Sequence, residues 1–269
     1  MSTDLFETAI VKIEPNEILI RGYPIEQLIG KLGYAGMVLL EILGELPNRW
    51  QARLLEAILV AGCDHSFYAP SIGVARIAAT CGITSNSCIA TGMNVLGDIH
   101  GGAGEQTMKI LYSIAQASID KQVDPVQGAI EYVRQEIDKH AYIPGFGHGQ
   151  HTKDPRVVKL LEMANLAKLD GAICGQYIEM AIAMERELSE LKRHRIPINI
   201  DGISGAIQCE IGLPSEVAKG LFCLSRGIGL VAHVYEEQKG GARLKSVVSH
   251  DARIKYTGVA RRDYLGETY

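Results

Sequence analysis

The chain has 269 residues, 47% of them hydrophobic, and a formal net charge of -4 with no long run of one sign. That is enough apolar material to bury a sizeable core, and too little positive charge for wholesale neutralisation of nucleic-acid phosphates. One tryptophan and four phenylalanines also argue against a base-stacking platform.

From the N-terminus, Met1 to Glu7 lacks the basic start and apolar run of a secretory signal, and the six scattered cysteines read as those of a cytoplasmic protein. Residues 9–13 and 17–21 are rich in β-branched and apolar side chains, with Glu14-Pro15-Asn16 as a turn. They predict a hairpin appendage over 1–22, followed by a single helical unit over 23–269. Pro24 opens the first helix. Helices are then predicted over 36–43, 49–60, 70–80, 86–96 and 105–117. The last carries Met108, Leu111, Tyr112 and Ala115 at the spacing of an amphipathic face. Asp124-Pro125 starts a helix running to about His140, and Asp154-Pro155 starts another, with aspartate as cap and proline at the first helical position. A long helix is expected over 172–191, ending in basic residues. Apolar, buried helices follow over 205–212 and 214–237, and the last 30 residues read as extended and basic. No stretch of 18 apolar residues occurs, so no membrane span is predicted. Cys63, Cys81, Cys88, Cys174, Cys209 and Cys223 form no CxxC pair and read as reduced, buried thiols.

Three glycine-rich segments each hold one ionisable residue. They are Gly97 to Glu105 around His100, Pro144 to Gly149 around His148, and Asn199 to Gly202 around Asp201. Two histidines and an aspartate can move protons to and from carbon and oxygen near neutral pH, and glycine lets a ligand approach the backbone. His100 precedes a helix, where amides favour an oxyanion; it can equally be a cap that satisfies local backbone groups. Asp201 follows an apolar approach and reads either as a partly desolvated base or as the N-cap of the 205–212 helix. Arg156, in a first helical turn, can grip a carboxylate with two hydrogen bonds or form a surface ion pair. Arg226 interrupts an apolar run, so it binds an anion or sits in a buried structural pair. Asp64-His65 ends a long apolar helix. His148 and His151 raise a metal reading, but nothing resembles HExxH and glycine loops hold two imidazoles poorly, so no metal site is expected.

Taken together, these segments resemble the citrate synthase superfamily along most of the chain. The resemblance rests on Asp64-His65 with Ser71 and Arg76, and on His100-Gly101-Gly102-Ala103-Gly104-Glu105. It rests further on Pro144-Gly145-Phe146-Gly147-His148 followed by Asp154-Pro155-Arg156, on Asn199-Ile200-Asp201-Gly202 ahead of Gly212-Leu213-Pro214, and on Ser225-Arg226-Gly227. Full citrate synthases are longer. The compact length and initial hairpin resemble citryl-CoA lyase or the lyase module of ATP-citrate lyase. The resemblance implies an all-α, citrate synthase-like fold and a homodimer or higher oligomer with shared active sites. Arg243 is the candidate for the arginine donated by a partner subunit. It also implies a CoA thioester and an oxo acid as ligands, with no bound cofactor.

Carried onto this sequence, His100 would hold the thioester oxygen and Asp201 would exchange the proton on the methyl carbon. His148 would serve the tertiary hydroxyl. His65, Arg156 and Arg226 would hold carboxylates. The stretch 149–153 is shorter than usual and starts with glycine, which bears on CoA-phosphate binding and on substrate identity. The reading is therefore a lyase that cleaves citryl-CoA, or a related 3-hydroxy-3-carboxyacyl-CoA, into acetyl-CoA and a 2-oxo acid. A citrate- or 2-methylcitrate-type synthase and a non-catalytic CoA-binding subunit are the alternatives.

Overall fold

The structure is a computed structural model and describes residues 6–147, 149, 153–249, 251–264 and 266. It opens with antiparallel strands β1 (Val11–Glu14) and β2 (Glu17–Ile20), Ile13 facing Ile18. A short third strand, β3 (Tyr23–Pro24), was not expected from sequence; it folds back on β2 through Arg21 and Gly22, both with positive φ. Two residues are too few to show an alternating pattern. Ile20, Leu28 and Leu40 form the small apolar cluster that seats this sheet on the helices.

Eleven helices follow among the described residues. They are α1 (Ile25–Leu28), α2 (Tyr34–Leu43), α3 (Arg49–Gly62), α4 (Pro70–Thr80), α5 (Ser85–Asn94) and α6 (Ala103–Lys121). Then come α7 (Pro125–Asp138), α8 (Pro155–Leu169), α9 (Gln176–Lys192), α10 (Ile200–Glu210) and α11 (Ala218–Gly240). Most starts have a local cause. The Asn48 side chain accepts from Trp50 and Gln51 in a full capping box at α3, and Asp124 and Asp154 cap α7 and α8 ahead of prolines.

Two starts differ from the sequence expectation. Helix α9 begins at Gln176 instead of 172, because Gly175 is left-handed and the Glu210 carboxylate from α10 accepts the amides of Gly175, Tyr177 and Ile178. Helix α10 begins at Ile200 instead of 205, and its cap is Asn199, not Asp201.

The main core gathers buried residues of α3, α6, α8, α9 and α10, including Leu54, Leu55, Met108, Leu111, Leu160, Met180, Ile203 and Ile207. A second cluster joins α4 and α5 to Leu230 and Val234 of α11. The segment Ser215–Gly240 has the length and mean hydropathy of a membrane span, although no single run of 18 apolar residues interrupts the sequence. Here Ser225, Arg226, Gly229, Leu230 and Val234 of that helix are buried against the protein. The thiols divide more evenly than expected: Cys88 and Cys209 are buried, Cys63 and Cys223 half-buried, Cys81 and Cys174 exposed. Beyond α11 the described residues form no helix or strand, and Leu244 anchors the start of this tail by donating its amide to the Thr80 carbonyl at 3.0 Å.

Candidate active site

Five of the residues singled out from sequence line one cavity of about 190 Å³: His65, His100, Arg156, Asp201 and Arg226. They come from the loop after α3, the loop before α6, the first turn of α8, the first turn of α10 and the middle of α11. His148 lies outside the described residues. Its neighbour Gly147 donates its amide to Pro197 at 2.7 Å and accepts from Asn199 Nδ2 at 2.9 Å, so the 144–147 loop is fastened to the segment that carries Asp201. Gly145 has φ +89, and a Cβ on Gly202 would lie 2.2 Å from the Gly145 carbonyl oxygen, so this crossing of the loop and α10 needs glycine on both sides. Arg243 does not line the cavity; it flanks a separate hollow with Thr80 and Gly82, beyond the C-terminal end of α11.

The surroundings of His100 set its protonation. Ser71, in the first turn of α4, is fully buried. Its hydroxyl accepts from Arg226 Nη1 at 3.1 Å and lies 3.0 Å from His100 Nε2, and its amide donates to the same nitrogen at 3.4 Å. A nitrogen that receives an amide N–H carries no proton, so the ring proton is assigned to Nδ1. Burial, and then the charge of Arg226, hold His100 below the usual histidine range. A neutral imidazole with one N–H to give is the form that stabilises a developing enolate oxygen. Gly101 makes the turn after it: φ is +95, and a Cβ there would lie 2.8 Å from the Phe222 ring.

Asp201 is the second residue of α10. Asn199 Oδ1 takes the amides of Asp201 and Gly202 at 3.0 and 3.1 Å, which leaves the Asp201 carboxylate for the cavity and removes the capping alternative. Burial pushes its carboxyl above the ordinary carboxylate range, against the pull of Arg156 and Arg226. A desolvated carboxylate with a raised proton affinity suits a base that works on carbon.

The two arginines differ. Arg156 is gripped by Asp154, with Nε to Oδ1 at 3.0 Å and Nη2 to Oδ2 at 2.6 Å; Arg156 is half-buried in the cavity wall and Asp154 is buried, so this is not a surface pair. Arg226 is 3% exposed, and its hydrogen bonds among the described residues go to neutral oxygens: the Gly62 carbonyl and the Ser71 hydroxyl. Its guanidinium lies 5.1 Å from the centroid of Phe222, and burial lowers its proton affinity. A buried cation held by neutral acceptors is poised for an anion, which favours the anion-binding reading over a structural pair. Asp64, next to His65, points elsewhere: burial would raise its carboxyl, but Ser66 and His233 hold it below the usual range.

Sequence reading missed Ser71 and the double role of Asn199. Ser71 was visible only as part of a motif, since its partner lies 29 residues away. Among the described residues no three His, Cys, Asp or Glu side chains come together as metal ligands would; His151, like His148, lies outside them.

The family model for the C-terminal domain of citrate synthase matches residues 30–245. The chain belongs to the citrate synthase family. It is 30% identical to the citryl-CoA lyase of Hydrogenobacter thermophilus, whose structure superimposes with a TM-score of 0.85 over 97% of this chain and 98% of that one. It is 27% identical to the citrate synthase of Haloferax volcanii over 87% of this chain and 57% of the relative, so it spans a little over half of that protein's length. The citrate synthase of Thermoplasma acidophilum, solved with carboxymethyl coenzyme A and oxaloacetate, is 25% identical with a TM-score of 0.68, covering 88% of this chain and 60% of that one.

Proposed function

We propose that this chain catalyses the reversible aldol cleavage of citryl-CoA, or a close 3-hydroxy-3-carboxyacyl-CoA, to acetyl-CoA and a 2-oxo acid. The observation that carries the reading is the meeting, in one cavity, of His100 held below the usual histidine range, a desolvated Asp201 and a buried Arg226 that bonds no carboxylate among the described residues. Arg226, Arg156 and His65 hold the substrate carboxylates. His148 takes the proton of the tertiary hydroxyl, and the carbon–carbon bond breaks as the ketone forms. The electron pair passes to the thioester enolate, whose oxygen accepts a hydrogen bond from His100 Nδ1–H, and Asp201 delivers the one proton taken up by the carbon that becomes the acetyl methyl.

The extent of the likeness to the citryl-CoA lyase, nearly the whole of both chains, supports cleavage without hydrolysis. The sequence relatives that carry the name citrate synthase support the second reading, a synthase. A time course with citryl-CoA in the presence of a chelator separates them. Acetyl-CoA and oxaloacetate are expected to appear together, with citrate no higher than the enzyme-free blank. Citrate and free CoA forming at a comparable rate replace the lyase by the synthase, and loss of all activity with the chelator replaces the metal-free mechanism.

A homodimer is part of this proposal. Leu224, Ile228, Val231 and Tyr235 recur at helical spacing on α11 and are 41–64% exposed, an apolar stripe without cover in the single chain. Sedimentation is expected to show a dimer at micromolar concentration, and Ile228→Glu is expected to shift it to monomer with loss of activity. A fully active wild-type monomer would rule out shared sites, and with them the role of Arg243.

A further inference from the structure

A small pocket adjoins Asp201, and neither Arg156 nor Arg226 is among its lining residues. Asp201, Ser204 and Gln208 occupy one face of α10, at i, i+3 and i+7, and all three line this pocket. Its volume is about 30 Å³, and the opposite wall is apolar, with Ala218, Leu221 and Phe222 among its residues. Asp201 and Phe222 belong to the walls of both this pocket and the larger cavity, so the pocket adjoins the place where the acyl carbon would be handled.

Gln208 is 4% exposed, and among the described residues its Oε1 has no hydrogen-bond partner. Ser225, on the opposite wall with Leu221 and Phe222, is already committed, its hydroxyl donating to the Leu59 carbonyl at 2.6 Å. A buried amide oxygen left without a donor is costly, and a space of roughly 10–15 Å³ on this measure already admits a water.

We infer that this pocket is a subsite for one water-sized hydrogen-bond donor held by Gln208, and that Gln208 thereby makes the site select an acetyl over a propionyl thioester. The inference rests on the proposed cleavage reaction and names its acyl specificity. An acetyl methyl next to Asp201 leaves the donor on Gln208 in place. One further methyl on that carbon enters the pocket, displaces the donor and strands the amide oxygen against an apolar group. Rejection by an unmatched polar group exceeds what a change of pocket size alone gives.

The test compares cleavage of citryl-CoA with that of its homologue bearing one methyl on the carbon next to the thioester, which releases propionyl-CoA. The readout is the ratio of the two kcat/KM values, which does not depend on the fraction of enzyme folded. Wild type is expected to prefer citryl-CoA. Gln208→Met, which keeps the volume and removes the acceptor, and Gln208→Ala, which also adds space, are each expected to lower the preference about tenfold or more, the scale of one accommodated methylene. A wild type without preference, or a preference unchanged or increased in both variants, overturns the inference while the cleavage reaction stands. A wild type that cleaves neither thioester overturns the proposed function and this inference with it.

Discussion

Replacement of Asp201 by asparagine is expected to lower citryl-CoA turnover by about a hundredfold or more, the scale for losing a positioned acid–base group. The folded protein should survive the change, and the sign of the stability effect follows from its burial. The Asp201 carboxyl binds its proton more tightly in the folded chain than in the unfolded one. Folding therefore takes up a proton between the ordinary carboxylate range and the raised value, and the stability this group contributes is lost as pH rises through that window. Above it the carboxylate is ionised and burial disfavours it. Asparagine mimics the neutral form, so the variant should melt no lower than wild type at pH 7 and lose its advantage in acid. Thermal unfolding at two pH values, beside turnover, checks both parts. Near-normal turnover would remove Asp201 from the mechanism. A large loss of melting temperature would mean that the ionised carboxylate serves the fold.

Arg226→Met and Arg156→Ala are expected to raise the KM of the carboxylate-bearing substrate by roughly ten- to a hundredfold, the equivalent of about 1.5–3 kcal/mol for a charge-assisted hydrogen bond. CoA affinity should change little in either. Stability should separate the two. Arg226 has no carboxylate among its hydrogen-bond partners in the described residues, so an apolar side chain of similar length removes a buried charge and leaves no ion behind. Arg156 is held by Asp154, which is 5% exposed. Its removal takes the guanidinium from a buried carboxylate, which should lower the melting temperature as well. Calorimetric titration with oxaloacetate and with CoA, plus unfolding of each variant, tests the assignment. Variants that lost CoA and kept the oxo acid would reverse it.

His100, Asp201, Arg156 and Arg226 were legible in the chain because their chemistry is written locally: a glycine turn before a helix, an apolar approach to one acid, a proline-started first turn, a cation inside an apolar run. The order and approximate extent of the helices were legible for the same reason, since apolar period, Asx caps and proline act over a few residues. What sequence left open was which alternative each residue takes, because that depends on partners far along the chain. Asp201 is freed for the cavity by a local cap, Asn199, but the side chain of that cap is also tied at its other end to Gly147, 52 residues earlier. His100 is held below the usual histidine range, with its proton assigned to Nδ1, because the packed site buries it and brings in Ser71 and Arg226 from α4 and α11. Helix α9 starts late because a carboxylate from α10 reaches its first amides. Local composition determined the elements and the candidate residues. Hydrogen bonds and desolvation between segments 29 to 155 residues apart decided the charge states, and only tertiary packing sets those, because it brings the donors together and excludes the water.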